Sequence, residues 1–191
     1  MVRRVLQPRH PLIKGIVLGA WEDWLRNPES ALYRYSRTRA NIMWEHMVRR
    51  AEETFSRDPG IRMVHGHQTI GFLVDHRVFL RFKKGDEAGL SRNYPTMLAL
   101  KFHDHQSPLP GIPTVDRVEI VYALDQLETE ITSVFVVARN SDQVAWLYDI
   151  LEEQPAELYD LRSQRKIREK RSPIVRLRRS QEHRDDKSGD K

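Results

Sequence analysis

The chain has 191 residues, which is enough for one domain with a hydrophobic core and too few for two domains of ordinary size. It contains no cysteine, so disulfides, thiolate catalysis and cysteine-ligated metal centres are excluded. No segment has the length and apolar content of a membrane helix or of a secretory leader. We therefore expect a cytoplasmic protein that does not enter membranes.

The formal charge of +5 is distributed unevenly along the chain. Residues 161–191 contain 12 Lys and Arg against 5 Asp and Glu, a charge of +7, whereas residues 1–160 carry −2. A basic segment on a near-neutral body favours nucleic acid or an acidic protein surface as the partner. The alternative is a solvated segment that only keeps the protein soluble.

Two helices are predicted in the first third of the chain. Apolar residues recur at helical spacing over residues 11–25 and again along a longer segment that ends before Gly60. Asn27 can cap the second helix, and Pro28 fits its first helical position. The apolar stripe of this helix includes Leu32 and Tyr35, and we expect it to pack into the core.

After Gly60 the apolar period changes from helical to two, which is typical of strands. Three short strands with tight connections predict an antiparallel meander, which is followed by a helix over residues 95–105 and by three further strands. The sequence thus predicts an α+β domain over residues 1–155, with two N-terminal helices, the meander, a helix and the further strands. Residues 156–191 are predicted to form a basic and largely disordered tail.

The stretch "VDHRVFLRFKK" places an acid at the end of one strand and lysines at the end of the next. This order of elements resembles the core of the PD-(D/E)xK restriction-endonuclease-like families, which implies Asp75 as the first metal-binding acid and Lys83 as the lysine, with Glu45 or Glu52 as a further carboxylate. The stretch departs from the family pattern because Arg81 stands where the second acid belongs, and a guanidinium repels a metal ion. We therefore expect no metal, no other cofactor and no catalytic residue, with a divergent metal-dependent nuclease or nuclease-like toxin as the alternative.

Strand alternation gives the third predicted strand one buried face and one basic face, since Arg81 and Lys83 point to the same side. Lys84 and Arg92 follow this strand and precede the helix predicted to begin at Pro95. Free N–H groups at the start of that helix would favour an anion. Ion pairs with nearby acids such as Asp86 and Glu87 are the alternative. The predicted anion-binding or nucleic-acid-binding residues are Arg77, Arg81, Lys83, Lys84 and Arg92, together with Arg165, Lys166, Arg168, Arg171, Arg176, Arg178 and Arg179 of the tail.

Two histidine pairs are candidates for a zinc site. His65 and His67 share one face of a strand, and His103 and His105 stand near the end of a predicted helix. Residues two apart at a helix end do not share a face. No glutamate that could act as a general base stands at the spacing from these histidines that known zinc-enzyme motifs have. We expect surface or capping histidines at these positions.

The segments "RFKK", "SRNYPT", "LPGIP" and "YALD" lie within about residues 77–149. In this part the chain resembles a group of bacterial proteins of similar length that have no assigned activity. The resemblance implies a prophage or phage-defence setting, and it assigns no catalytic residue. Together, these observations predict a non-catalytic accessory or regulatory protein that binds nucleic acid non-specifically or an acidic protein partner.

Overall fold

The computed structural model describes residues 1–66, 69–91, 97–105, 107–109 and 111–151, without the side chains of residues 69 and 97–99. Within these residues, helices are followed by a six-stranded mixed sheet, which confirms the predicted α+β class. The predicted tail over residues 156–191 lies outside the described residues. No helix in the described part is long and apolar enough to cross a membrane.

The α-helices are α1 (Val2–Leu6), α2 (His10–Arg26), α3 (Ser36–Phe55) and α4 (Met97–His103), with short 3-10 helices at Gln7–Arg9 and Ser30–Leu32. Helices α2 and α3 pack on the sheet through side chains that recur at helical spacing. Among these, Ile13, Val17, Met43 and Met47 have no exposed surface.

The second long helix starts later in the structure than the sequence predicts. Asn27 Oδ1 accepts a hydrogen bond from the backbone N–H of Glu29 at 2.9 Å, which closes a turn, and α3 begins at Ser36. Leu32 and Tyr35, expected in the core, are each 75% exposed. The prediction was wrong here because Asn and Pro favour a turn as readily as a helix start.

The strands are β1 (Ile61–Gly66), β2 (Thr69–Val74), β3 (Val78–Lys84), β4 (Asp116–Leu124), β5 (Ile131–Asn140) and β6 (Gln143–Asp149). Their order in the sheet follows the chain, and the predicted antiparallel meander of β1, β2 and β3 is confirmed. Strands β3 and β4 are parallel, whereas β4, β5 and β6 are antiparallel neighbours. Parallel neighbours need a crossover connection, and α4, which lies between β3 and β4 in the chain, packs on one face of the sheet.

Both faces of the central strands are buried. On one face, Val78, Leu80 and Phe82 of β3 belong to the main core with residues of α1, α2 and α3. On the other face, Phe79 of β3 packs with Phe102 of α4 in a second, smaller core. The crossover connection therefore covers the face of β3 that the sequence predicts to be basic.

We predict that Leu80→Ala lowers the free energy of unfolding by about 2–5 kcal/mol, because it removes a fully buried side chain from the main core. The matched control is Leu127→Ala, since Leu127 is 82% exposed and its truncation should cost less than about 0.5 kcal/mol. Urea unfolding of both variants measures the difference. Equal losses would contradict this assignment of the core.

Candidate anion-binding site

Asp75, the first acid of the possible nuclease motif, is held in the structure by an arginine. It lies in the β2–β3 turn, where Asp75 and His76 have φ values of 48° and 54°, and Arg77 N–H donates to the carbonyl of Val74 at 2.9 Å. Two consecutive positive φ values are typical of a type I′ hairpin turn. Arg9 donates to both carboxylate oxygens of Asp75, at 2.9 and 3.0 Å, so the acid anchors this turn to the N-terminal helices.

The remaining nuclease candidates do not gather around Asp75. Lys83 lies five residues beyond Val78 in β3, which places it about 16 Å further along the strand than the turn. Glu45 lines a groove of about 1480 Å³ together with Lys83, and Glu52 lies about 10 Å further along α3. In the described part of the chain, no group of three His, Asp or Glu side chains could hold a metal ion.

The cations of β3 are less accessible than the sequence predicts. Arg81 is 9% exposed, so the expectation of a solvated basic face is wrong at this residue. Lys83 and Lys84 are half-buried, and burial lowers the pKa of both ammonium groups. Lys84 Nζ donates to Glu128 Oε1 at 2.6 Å, whereas Arg77 is exposed in the turn. Lys84 therefore forms an ion pair within the protein, which the sequence left open as the alternative to anion binding.

A buried ionic cluster joins β3, β4 and the crossover connection. Arg81 and Glu119 are register partners in the parallel pair of strands, and Arg81 donates to Glu119 Oε1 through Nη2 at 2.6 Å and Nε at 3.0 Å. From the crossover, Ser91 Oγ donates to Glu119 Oε2 at 2.7 Å, and His103 Nε2 lies 3.2 Å from Oε1. The Arg81 guanidinium also lies over the Phe102 ring, 3.6 Å from its centre. These contacts attach the crossover to the sheet.

The cluster keeps Glu119 ionised although the side chain is only 1% exposed. Burial alone would raise the pKa of this carboxyl group. Hydrogen bonds from His103 and Ser91 and the positive charge of Arg81 outweigh burial, and they lower the pKa from 4.5 to about 2. Glu119 therefore neutralises Arg81 over the whole physiological pH range.

Two further arginines lie beside this cluster, with part of their hydrogen-bonding capacity unused. Arg117 is 3% exposed and donates to the carbonyls of Lys101, Asp104 and Ser107 at 2.6 to 2.8 Å, at the C-terminal end of α4. Arg139 Nη1 donates to Ser91 Oγ at 3.1 Å. The Nε atoms of both arginines are buried and have no hydrogen-bond partner among the described residues.

Arg117 and Arg139 line a common cavity of about 480 Å³. The remaining lining residues are Asp104, His105, Asp116, Ala138, Asn140, Ala145 and Trp146. The residues of the cavity come from the end of α4, the start of β4 and the adjoining ends of β5 and β6. We call this cavity the arginine cavity.

The candidate zinc ligands have other surroundings in the structure. His103 is buried in the ionic cluster, so the expected surface position is wrong there. His105 is exposed, and its Nε2 lies 3.0 Å from the carbonyl oxygen of Arg139. His65 is exposed on β1, and His67 lies outside the described residues.

The predicted site residues do not include Glu119, Ser91, Arg117 and Arg139. A usable signal was present, because Arg117 and Glu119 stand two residues apart in a strand that is apolar from Val118 onward except for Glu119, and they must share one face. A charge within such a strand requires either solvent or a buried partner. Arg92 and the seven cations predicted in the tail lie outside the described residues.

Comparisons of this chain with protein-family models, with curated proteins and with solved structures each give no match. The resemblance to the bacterial proteins and the likeness to the PD-(D/E)xK families therefore stay predictions.

We predict that Glu119→Gln lowers stability at neutral pH by about 3–5 kcal/mol, because it leaves the buried guanidinium of Arg81 without its counter-charge. The folded-state pKa of Glu119 is depressed, so its stabilisation is present above pH 4.5 and is lost as the pH falls towards 2. The difference between wild type and variant should therefore shrink over this interval. Urea unfolding at several pH values measures it, and a difference independent of pH would contradict the assignment.

Proposed function

We propose that this protein is a non-catalytic accessory or regulatory protein that binds nucleic acid non-specifically. The position of Asp75 is the observation that supports a protein without nuclease activity. Arg9 binds both carboxylate oxygens of Asp75, and the turn that holds Asp75 lies about 16 Å along β3 from Lys83. A metal-dependent nuclease needs carboxylates that converge on one ion. A cytoplasmic location in a prophage or phage-defence setting belongs to the same proposal, and the sequence resemblance supports it.

The basic segment of the sequence supports nucleic acid as the ligand. Residues 161–179 contain nine Lys and Arg, opposed by Glu169 alone. Such a segment releases condensed counterions when it contacts phosphates, which favours binding to any nucleic acid. No aromatic residue follows Tyr159, so this segment offers phosphate contacts without base stacking.

We predict a steep salt dependence for duplex DNA binding, with a slope of log affinity against log salt of about −0.9 for each phosphate neutralised. A full-length variant with glutamine at the nine cations of residues 161–179 should show a much flatter slope. The control is Arg57→Gln, which removes one exposed cation from the turn after α3 and should change the slope by no more than about 0.9. Fluorescence anisotropy at several salt concentrations measures the slope.

Equal affinity of the nine-glutamine variant and the wild type for duplex DNA would contradict this assignment of the binding segment. Absence of salt-sensitive DNA binding by the wild type would contradict the proposed function. An acidic protein is the partner that the same charges would then favour.

We predict that Asp75→Asn does not change any cleavage of plasmid or single-stranded DNA in the presence of Mg²⁺ or Mn²⁺. Arg9→Gln is the matched control, because it breaks the same ion pair and leaves the carboxylate in place. Gel assays with both variants test the nuclease alternative. Metal-dependent cleavage that Asp75→Asn abolishes and Arg9→Gln retains would establish a nuclease.

A further inference from the structure

The connection between α2 and α3 exposes two large side chains. Leu32 and Tyr35 stand three residues apart in this connection, and each is 75% exposed. Tyr35 has no side-chain hydrogen bond and no ring contact with any described residue. The other tyrosine of the connection, Tyr33, packs against Trp24 with ring centres 6.0 Å apart, and it donates to Glu29 at 3.2 Å. The fold therefore uses the ring of Tyr33 and leaves the ring of Tyr35 accessible.

Two arginines flank this accessible ring in the chain. Arg34 precedes Tyr35, and Arg37 follows it in the first turn of α3. Both arginines are exposed, and neither forms an ion pair with a described residue. We call Leu32, Arg34, Tyr35 and Arg37 the Tyr35 surface. An aromatic ring beside unpaired cations is the combination that binds a base by stacking and its phosphates by charge.

The backbone that carries the Tyr35 surface is anchored on both sides. Before it, Asn27 Oδ1 closes a turn by accepting the N–H of Glu29 at 2.9 Å. After it, Arg39 of α3 forms an ion pair with Glu128 from the β4–β5 connection. A ring that the fold already positions loses less conformational entropy on binding than one on a free segment.

Stacking on Tyr35 favours a single strand over a duplex. In a duplex the bases are stacked on one another, and opening one step costs a few kcal/mol, whereas a single strand offers its bases freely. The groove of about 1480 Å³ that Arg37 also lines is a poor path for such a strand, because acids outnumber cations in its lining. These acids are Glu45, Asp86, Glu87, Asp125 and Glu128.

We propose that the Tyr35 surface binds single-stranded nucleic acid, with one base stacked on Tyr35 and the adjacent phosphates at Arg34 and Arg37. This inference rests on the proposed function and names the single strand as the preferred ligand. The basic segment at residues 161–179 contacts phosphates of either form, so the preference for a single strand comes from Tyr35.

The test compares three ligands of the full-length protein by fluorescence anisotropy: oligothymidine, an abasic strand of the same length and duplex DNA. We expect the wild type to bind oligothymidine more tightly than the abasic strand, which has the same phosphates and no bases. Tyr35→Ala should weaken oligothymidine binding about fivefold or more and leave binding of the abasic strand and of the duplex close to wild type.

The controls separate stacking from a general effect on the fold. Tyr35→Phe keeps the ring and should bind oligothymidine as the wild type does. Leu12→Ala removes another exposed apolar side chain, 41% exposed near the start of α2, and should change nothing. Because Tyr35 has no side-chain partner among the described residues, Tyr35→Ala should unfold in urea as the wild type does.

Two further measurements examine the ring and the cations separately. The fluorescence of 2-aminopurine in a single strand falls when this base stacks, so the wild type should quench it and Tyr35→Ala should not. Arg37→Gln should flatten the slope of log affinity against log salt for oligothymidine by about 0.7, the value for one phosphate of a single strand. Arg57→Gln, in the turn beyond the other end of α3, should change this slope less.

Equal affinity of Tyr35→Ala and the wild type for oligothymidine would overturn the proposal, and salt-sensitive duplex binding in the same experiment would leave the proposed function intact. Binding of oligothymidine through Tyr35 without salt-sensitive duplex binding would contradict the role of residues 161–179 and support the Tyr35 surface. Absence of binding to every strand would overturn both. Sedimentation that shows weaker self-association of Tyr35→Ala, with unchanged affinity for oligothymidine, would assign the surface to a second copy of the chain and overturn the proposal.

Discussion

The buried pair of Arg81 and Glu119 is the interaction on which the centre of this structure depends. It joins two parallel strands, and α4 from the connection between them packs on the sheet. Two charges removed from water cost free energy, and this cost is offset only when both are fully hydrogen-bonded. Ser91 and His103 complete that bonding from the crossover, so the pair holds the connection against the sheet.

The same cluster positions the arginine cavity. Ser91 binds Glu119 and also accepts a hydrogen bond from Arg139, so one loop residue links the ionic cluster to the cavity wall. Arg117 binds the carbonyl groups at the end of α4, the helix that carries His103 into the cluster. Arg9 has a comparable role at the other end of β3, where it binds Asp75 and Asp58 and fixes the hairpin turn. Arg81 in the cluster and Asp75 in the turn were candidates for binding or catalysis in the sequence, and in the structure both form ion pairs that stabilise the fold.

Local patterns predicted the fold class well, and non-local contacts account for the failures. Strand periodicity and short turns are sequence-local, which is why the meander of β1, β2 and β3 could be predicted. The pairing of Arg81 with Glu119 depends on the register of two strands that are 38 residues apart at this point, and no local pattern encodes it. The basic face of β3 was expected in solvent because the sequence does not show that the crossover covers it. The start of α3 was misplaced because Asn27 favours a turn and a helix cap alike.

A double-mutant cycle between Arg81 and Glu119 tests the central role of the buried pair most directly. Each single substitution, Arg81→Met or Glu119→Leu, leaves one buried charge without its partner and should cost about 3–5 kcal/mol in urea unfolding. The double substitution removes both charges, so we expect it to be more stable than either single variant. Losses that add in the double variant would show that the two side chains stabilise the fold independently, and would contradict the role assigned to the pair.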